Sequence, residues 1–258
     1  MSTRGTSVSA DTSKHASPSE QARAELAPHG TLRLAFPQAS ALYVTRDPAS
    51  GQLRGLSMDL GKELAARLAV PFEAKPYKAV RELIADTGQD QWDVATIVME
   101  DDRRKMFDYS RAYLEADSTY LVPAGSPIGQ VSDADKPTIR IGVAENSAFD
   151  LFLTRAIKQA TLVRFGGVGA AFDGLQAGTC DLVAAPRQVL ATAQGRFAGS
   201  RILDDWFDRA FVGVAVPKGQ QAAGLAYVNA FLAEAIASGF IAQAIARAGM
   251  AGAKVATE

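Results

Sequence analysis

From Thr31 onward the chain alternates short apolar runs with amphipathic runs, and it does so twice, on either side of a turn-rich interruption. In the first half, Leu32-Arg33-Leu34-Ala35-Phe36 reads as a strand. A helix near Asp59 follows, with Leu60, Leu64 and Leu68 on one face and Ser57 or Asp59 placed to accept from its first turn. Pro71–Pro76 reads as a second strand, Lys78–Asp86 as a short helix and Trp92–Val98 as a buried strand. After the break at Gly125–Pro137 the pattern restarts with strand Ile139–Val143, helix Ser147–Gln159, strand Thr161–Phe165, helix Ala170–Ala177 and strand Cys180–Ala185. Ser147-Ala148-Phe149-Asp150 has the form of a capping box with Asp in place of Glu. Two extended runs, Ser118–Val122 and Phe211–Val216, flank the second half. Two amphipathic helices close the chain, split by Ser238-Gly239, the first carrying Leu225, Val228, Phe231, Leu232 and Ile236. Strands alternating with helices predict parallel sheets covered by helices, and the restart predicts two α/β units.

Composition removes whole classes of function. A length of 258 residues suits one large domain or two modest lobes. Lys+Arg 27 against Asp+Glu 28 gives a net charge of -1, with no basic footprint for nucleic acid. No run approaches the ~20 apolar residues that span a bilayer. Cys180 is the single cysteine, so no intrachain disulfide forms and the thiol reads as a small buried hydrophobe. The 2 histidines, His15 and His29, precede the first strand. Histidine-dependent serine or cysteine chemistry and a histidine-rich metal centre are therefore excluded from the folded body, and neither a metal nor a cofactor is expected. Gly166-Gly167-Val168-Gly169 follows a strand, but Phe172 stands where a dinucleotide turn needs its third glycine, so a plain strand-to-helix turn is expected. Residues 1–29 are rich in Ser, Thr and Ala without hydrophobic periodicity and read as a disordered tail. They lack the apolar core of ~7–15 residues that an export signal needs, so the chain as written is expected in the cytoplasm.

Glu100-Asp101-Asp102 offers three carboxylates, but consecutive side chains cannot all converge on one ion. They are expected to cap a helix N-terminus instead, where the dipole favours negative charge. Arg103, in the same turn, is either a surface partner of those acids or a bidentate anchor for a ligand carboxylate.

The wider segment favours the anchor. Trp92-Asp93-Val94-Ala95-Thr96-Ile97-Val98-Met99-Glu100-Asp101-Asp102-Arg103, with Phe107-Asp108-Tyr109-Ser110-Arg111-Ala112-Tyr113, resembles the first-lobe signature of family 3 extracellular solute-binding proteins, the amino-acid-binding components of bacterial ABC importers. Leu53–Leu60 looks like their "G-f-d-x-D-L" segment, Ile139–Val143 and Gly178–Val183 like their second-lobe strands, and Val214–Gly219 like the strand returning to lobe one. The resemblance runs from about Thr31 to Met250.

It implies an α/β, two-lobed fold of the type II periplasmic-binding-protein kind, with a mixed sheet flanked by helices in each lobe and two crossover strands as hinge. Lobe 1 would be residues 30–119 with 213–258, and lobe 2 residues 120–212. A small carboxylate-bearing ligand would lie in the cleft between them. The implied partner is an ABC-transporter permease and the implied state a monomer without enzymatic activity. Arg103 matches the family's carboxylate-binding arginine, and Ser147 the residue of a second-lobe turn whose N–H groups meet the same carboxylate. Tyr43, Thr96, Val98, Glu100 and Asn146 complete the expected lining, with Val98, Glu100 and Asn146 departing from the usual residue types. Pro186 stands where the family places an Asp for the ligand's ammonium, and the adjacent Arg187 could add a second cation. That pattern favours a ligand with a carboxylate but no α-ammonium, unless Glu100 turns inward to receive one. The alternatives are a lyase resembling cyclohexadienyl dehydratases and a cytoplasmic ligand-sensing module.

Overall fold

The computed structural model describes residues 16–38, 43–47, 49–145, 147–250 and 252–257. The N-terminal segment departs from the expected tail: Glu20–Leu26 forms helix α1, with Ser19 accepting from the Ala22 N–H at 3.0 Å. A single buried leucine explains the order. Leu26 lies against Gly224, where a Cβ would sit 2.9 Å from Leu26 Cγ, and Glu25 accepts the Gly224 N–H at 2.7 Å.

Strand β1 (Leu32–Pro37) leads through a small hairpin, β2 (Thr45–Arg46) and β3 (Leu53–Arg54), into helix α2 (Leu56–Leu68). No side chain caps α2. Gly55 precedes it at φ 130°, and a Cβ there would lie 3.0 Å from the Tyr43 carbonyl oxygen, so only glycine lets residues 43–45 pass this close. Strand β4 (Phe72–Tyr77), helix α3 (Val80–Ala85) and strand β5 (Val94–Val98) follow. Beyond them come the short β6 (Phe107–Tyr109) and the long β7 (Leu114–Val122), buried along its whole length.

The second half runs β8 (Arg140–Ala144), α4 (Ala148–Ala156), β9 (Thr161–Phe165), α5 (Val168–Gln176), β10 (Leu182–Pro186) and α6 (Arg187–Gln194). The chain returns through β11 (Arg201–Ile202) and the long β12 (Asp208–Pro217) to helices α7 (Ala222–Ala237) and α8 (Phe240–Arg247), and closes on strand β13 (Ala253–Val255).

Among the described strands the main sheet runs β4-β1-β5-β12-β7-β10-β8-β9. β1 pairs in parallel with β4 and β5, and β8 with β9 and β10, whereas β7 and β12 are antiparallel to each other and to their neighbours. The mixed character has a simple origin. Each half builds parallel strands through helical crossovers, and the two linking strands run between halves in opposite directions. Buried side chains cluster accordingly. Leu34, Leu60, Leu64, Leu114, Val214 and Phe231 share one core, and Tyr120, Ile141, Leu153, Phe172, Leu182 and Leu190 another. A smaller cluster around Trp92 and Phe107 fills the opposite face of the first core's sheet, beneath α3. No single described helix is long and apolar enough to cross a membrane.

Candidate ligand-binding site

The segment after β5 folds as a tight 3₁₀ turn, Asp101–Lys105, and this settles what its acids do. Three residues per turn stack positions i and i+3 above one another. Glu100 therefore meets Arg103 at 3.1 Å, Asp101 meets Arg104 at 3.4 Å and Asp102 meets Lys105 at 3.4 Å. Glu100 occupies the N-cap position without a side-chain cap bond, so the expected capping role is replaced by ion pairing. The outer two pairs are exposed, whereas the Arg103 side chain is only 17% exposed. Its Nη1 also donates to the Val98 carbonyl at 3.2 Å, which ties the guanidinium to the C-terminal end of β5.

Tyr43 is buried behind this end of the strand, and its hydroxyl accepts the Val98 N–H at 3.1 Å. Burial pushes its ionisation well above the ordinary phenol range. Both backbone groups of Val98 are thus held by expected site residues, and Val98 works as a backbone hub. Thr96 does not join them. It is fully buried, its hydroxyl 2.8 Å from that of Ser57 on α2, so it belongs to the core and not to a lining. Ser57 likewise serves Thr96 instead of capping its helix.

Tyr109, absent from the expected lining, stands close by. The Arg104 guanidinium lies 5.7 Å from its ring centroid, and its buried hydroxyl has no hydrogen-bond partner among the described residues. Burial pushes this phenol up to about 12, partly countered by the Arg103 charge. Tyr109 lies inside the Phe107–Tyr113 segment that carries the family resemblance, and the β6–β12 pairing, Tyr109 with Ala215, brings it here. Next to this group a cavity of about 220 Å³ is lined by Met99, Arg104, Ala112 and Phe211.

In the second half, Ser147 caps α4 by accepting the Asp150 N–H at 3.1 Å while donating to the Ala144 carbonyl at 2.7 Å. Its one O–H donor is committed to that carbonyl, so anion binding here would fall to the first-turn N–H groups of α4, which have no intrahelical acceptor. Asp150 does not complete a capping box; its carboxylate turns to Arg164 at 3.1 Å. Asn146 lies outside the described residues. Arg187 corrects the expectation of a second cation in the cleft. Its Nη1 donates to the Leu203 carbonyl at 2.8 Å and its Nη2 to those of Asp204 at 2.9 Å and Asp205 at 3.1 Å. A Cβ on Gly252 would lie 2.6 Å from Arg187 Cγ, so the C-terminal segment packs on its stem. Three carbonyls and this packing make Arg187 a loop clamp.

Among the described residues no group of three His, Cys, Asp or Glu side chains is placed to hold a metal ion. Cys180 is buried, and burial pushes its thiol up to about 11, which leaves it a poor nucleophile.

The profile of bacterial extracellular solute-binding proteins, family 3, matches residues 32–249. The chain belongs to this family. The matched span leaves out α1 and β13. Among characterised relatives, the ABC transporter glutamine-binding protein of Bacillus subtilis (strain 168) is 25% identical over 185 residues, covering 70% of this chain and 67% of the relative. A glutamine-binding protein of Geobacillus stearothermophilus is 23% identical over 181 residues, covering 69% of each. Of solved structures, an ancestral cationic amino acid solute-binding protein superposes with a TM-score of 0.72 at 23% identity, covering 87% of this chain and 98% of that one. The periplasmic VFT2 domain of BvgS from Bordetella pertussis gives 0.69 at 22% identity, covering 90% and 99%. The fold of this family 3 protein is thus the two-lobed type II periplasmic-binding-protein fold, with β7 and β12 as its linking strands.

Proposed function

We propose that the protein captures an amino acid between its two lobes, residues 30–119 with 213–258 and residues 120–212, and presents it to the permease of an ABC importer. The observation that carries this reading is the Glu100–Arg103 pair at the end of β5. A guanidinium and a carboxylate side by side complement a zwitterion: Arg103 receives the ligand's carboxylate through parallel hydrogen bonds, and Glu100 receives its ammonium. Glu100 thereby does the work for which Pro186 has no acceptor, and the geometry favours the ammonium-bearing alternative over a simple organic acid. Two separate buried cores support the lobe division, and the names of both glutamine-binding relatives support the ligand class. Both are also named as binding proteins. We read this chain as a binder as well, because the acid of the site, Glu100, is exposed to solvent and paired with Arg103. Thermal-shift screening of amino acids beside their 2-oxo and dicarboxylic analogues tests the reading. Amino acids alone are expected to stabilise the protein by roughly 4 °C or more, the shift for about 1–2 kcal/mol in a chain of this size. Stabilisation by the deaminated analogues alone would overturn it.

A further inference from the structure

We propose that the C-terminal segment Gly252–Val255 is a strap that holds the two lobes apart in the ligand-free protein and must slip when the cleft closes; this rests on the lobe division proposed above. The strap lies beyond residue 249, where the family match ends. Its place beside β7 follows from register. β12 and β13 both pair with residues 114–116 of β7, so they occupy opposite edges of that strand. β10 and β12 both pair with Ser118, so β10 shares the edge of β13. The two strands run in one direction along it, β10 ending at Pro186 beside Ser118 and β13 beginning at Ala253 beside Ala116.

Gly252 stands at the join. A Cβ there would lie 2.6 Å from Arg187 Cγ, 2.8 Å from its Cδ and 3.0 Å from its Cβ, so the glycine backbone rests directly on the arginine stem. The two sides of this contact belong to different halves. Val255 packs against the first core, and the Ala256 N–H donates to the Tyr113 carbonyl at 3.3 Å. Arg187 opens α6, whose Leu190 lies in the second core, and its guanidinium clamps the 203–205 carbonyls. Rotation of one half against the other about β7 and β12 therefore shears the Gly252–Arg187 contact. Charge fixes the other end of the strap. Lys254 is the register partner of Glu115 and lies 3.7 Å from Asp117 Oδ2, a buried oxygen with no hydrogen bond among the described residues. The arrangement so held is the open one: Arg103 pairs with Val98 and Glu100, and Ser147 with Ala144 and Asp150, each within its own half. By disfavouring the closed form, the strap weakens apparent ligand affinity by the factor through which that population falls.

Double electron–electron resonance on the ligand-free chain tests this, with spin labels on Lys105→Cys and Leu151→Cys, two exposed positions in different halves. The parent chain is expected to show one open separation, with at most about 10% of a shorter one. Truncation after Met250 should raise the shorter population about fivefold. Lys254→Ala removes one exposed side chain, keeps the fold even where the truncation does not, and should raise that population about twofold. Distance distributions unchanged in both variants, or a separation that lengthens once the strap is cut, would overturn the strap. The distances are read without ligand, so a thermal-shift screen in which no amino acid binds would overturn the functional reading and leave the strap standing.

Discussion

Arg209 donates from Nε to Asp117 Oδ1 at 2.6 Å, and the two residues are register partners across the β7–β12 pairing. The carboxylate side chain is 2% exposed, while the guanidinium lies 3.8 Å over the Trp206 ring and reaches Glu115 at 3.7 Å. Lys254 of β13 approaches the other Asp117 oxygen at 3.7 Å. A buried acid on β7 is thus neutralised by residues from β12 and β13. Arg209→Ala leaves that charge with only the more distant Lys254 as a cationic partner and should cost about 2–4 kcal/mol. Thermal melts are expected to show a loss of about 2–4 °C per kcal/mol, with Asp117→Asn in the same background recovering part of it because the stranded charge is gone.

Arg103→Ala is expected to weaken the amino acid ligand by about 2–4 kcal/mol, roughly 30- to 1000-fold. Arg103→Lys should recover only part, since a point charge cannot reproduce the planar fork. Equal affinity of Arg103→Ala and the parent chain in calorimetry would remove Arg103 from the site.

Glu100→Gln separates ammonium from carboxylate recognition. It is expected to weaken amino acids about tenfold or more, because their cation then lacks a charged partner in the closed cleft. The same change frees the Arg103 guanidinium from its intramolecular pair, so 2-oxo analogues should bind more tightly. Competition between an amino acid and its 2-oxo acid measures both effects at once.

Thr96→Val removes one partner of the buried Ser57 and Tyr113 hydroxyls without changing side-chain shape. A stability loss of about 1–2 kcal/mol is expected, with ligand affinity unchanged. A loss of affinity at unchanged stability would return Thr96 to the binding site.

Asp135 accepts backbone N–H groups of Ala160 at 2.9 Å, Gln159 at 2.7 Å and Lys158 at 3.0 Å, which hold its carboxyl below the ordinary range. A depressed folded-state pKa gives stability that is present above the unfolded value of ~3.9 and fades as pH falls through the folded one. Asp135→Asn should therefore lower the melting temperature at neutral pH, and the gap to the parent chain should narrow in melts run below pH ~3.9.

Local periodicity carried most of the fold. The Leu60–Leu64–Leu68 stripe, the Ser147 cap and the apolar runs of β1 and β5 are written in neighbouring residues, and all stand where the pattern put them. Helix α1 was not legible, because its order depends on Leu26 meeting Gly224 almost two hundred residues away. Thr96 was misplaced for a related reason. Val94–Val98 is apolar enough on both faces that alternation gives no inside and outside, and only α2 packing against one face buries that hydroxyl.

The sequence by itself determined that this is a two-part α/β chain and that Arg103 sits in an acid-rich turn after a buried strand, since strand–helix alternation and residue order are local properties. Tertiary structure alone decided which partners the charges take. Whether Glu100 caps a helix or pairs with Arg103 depends on the turn being 3₁₀, and whether Arg187 faces a ligand depends on where the 203–205 carbonyls lie. Long charged side chains reach several ångströms in any direction, so their targets follow from packing that no stretch of sequence encodes on its own.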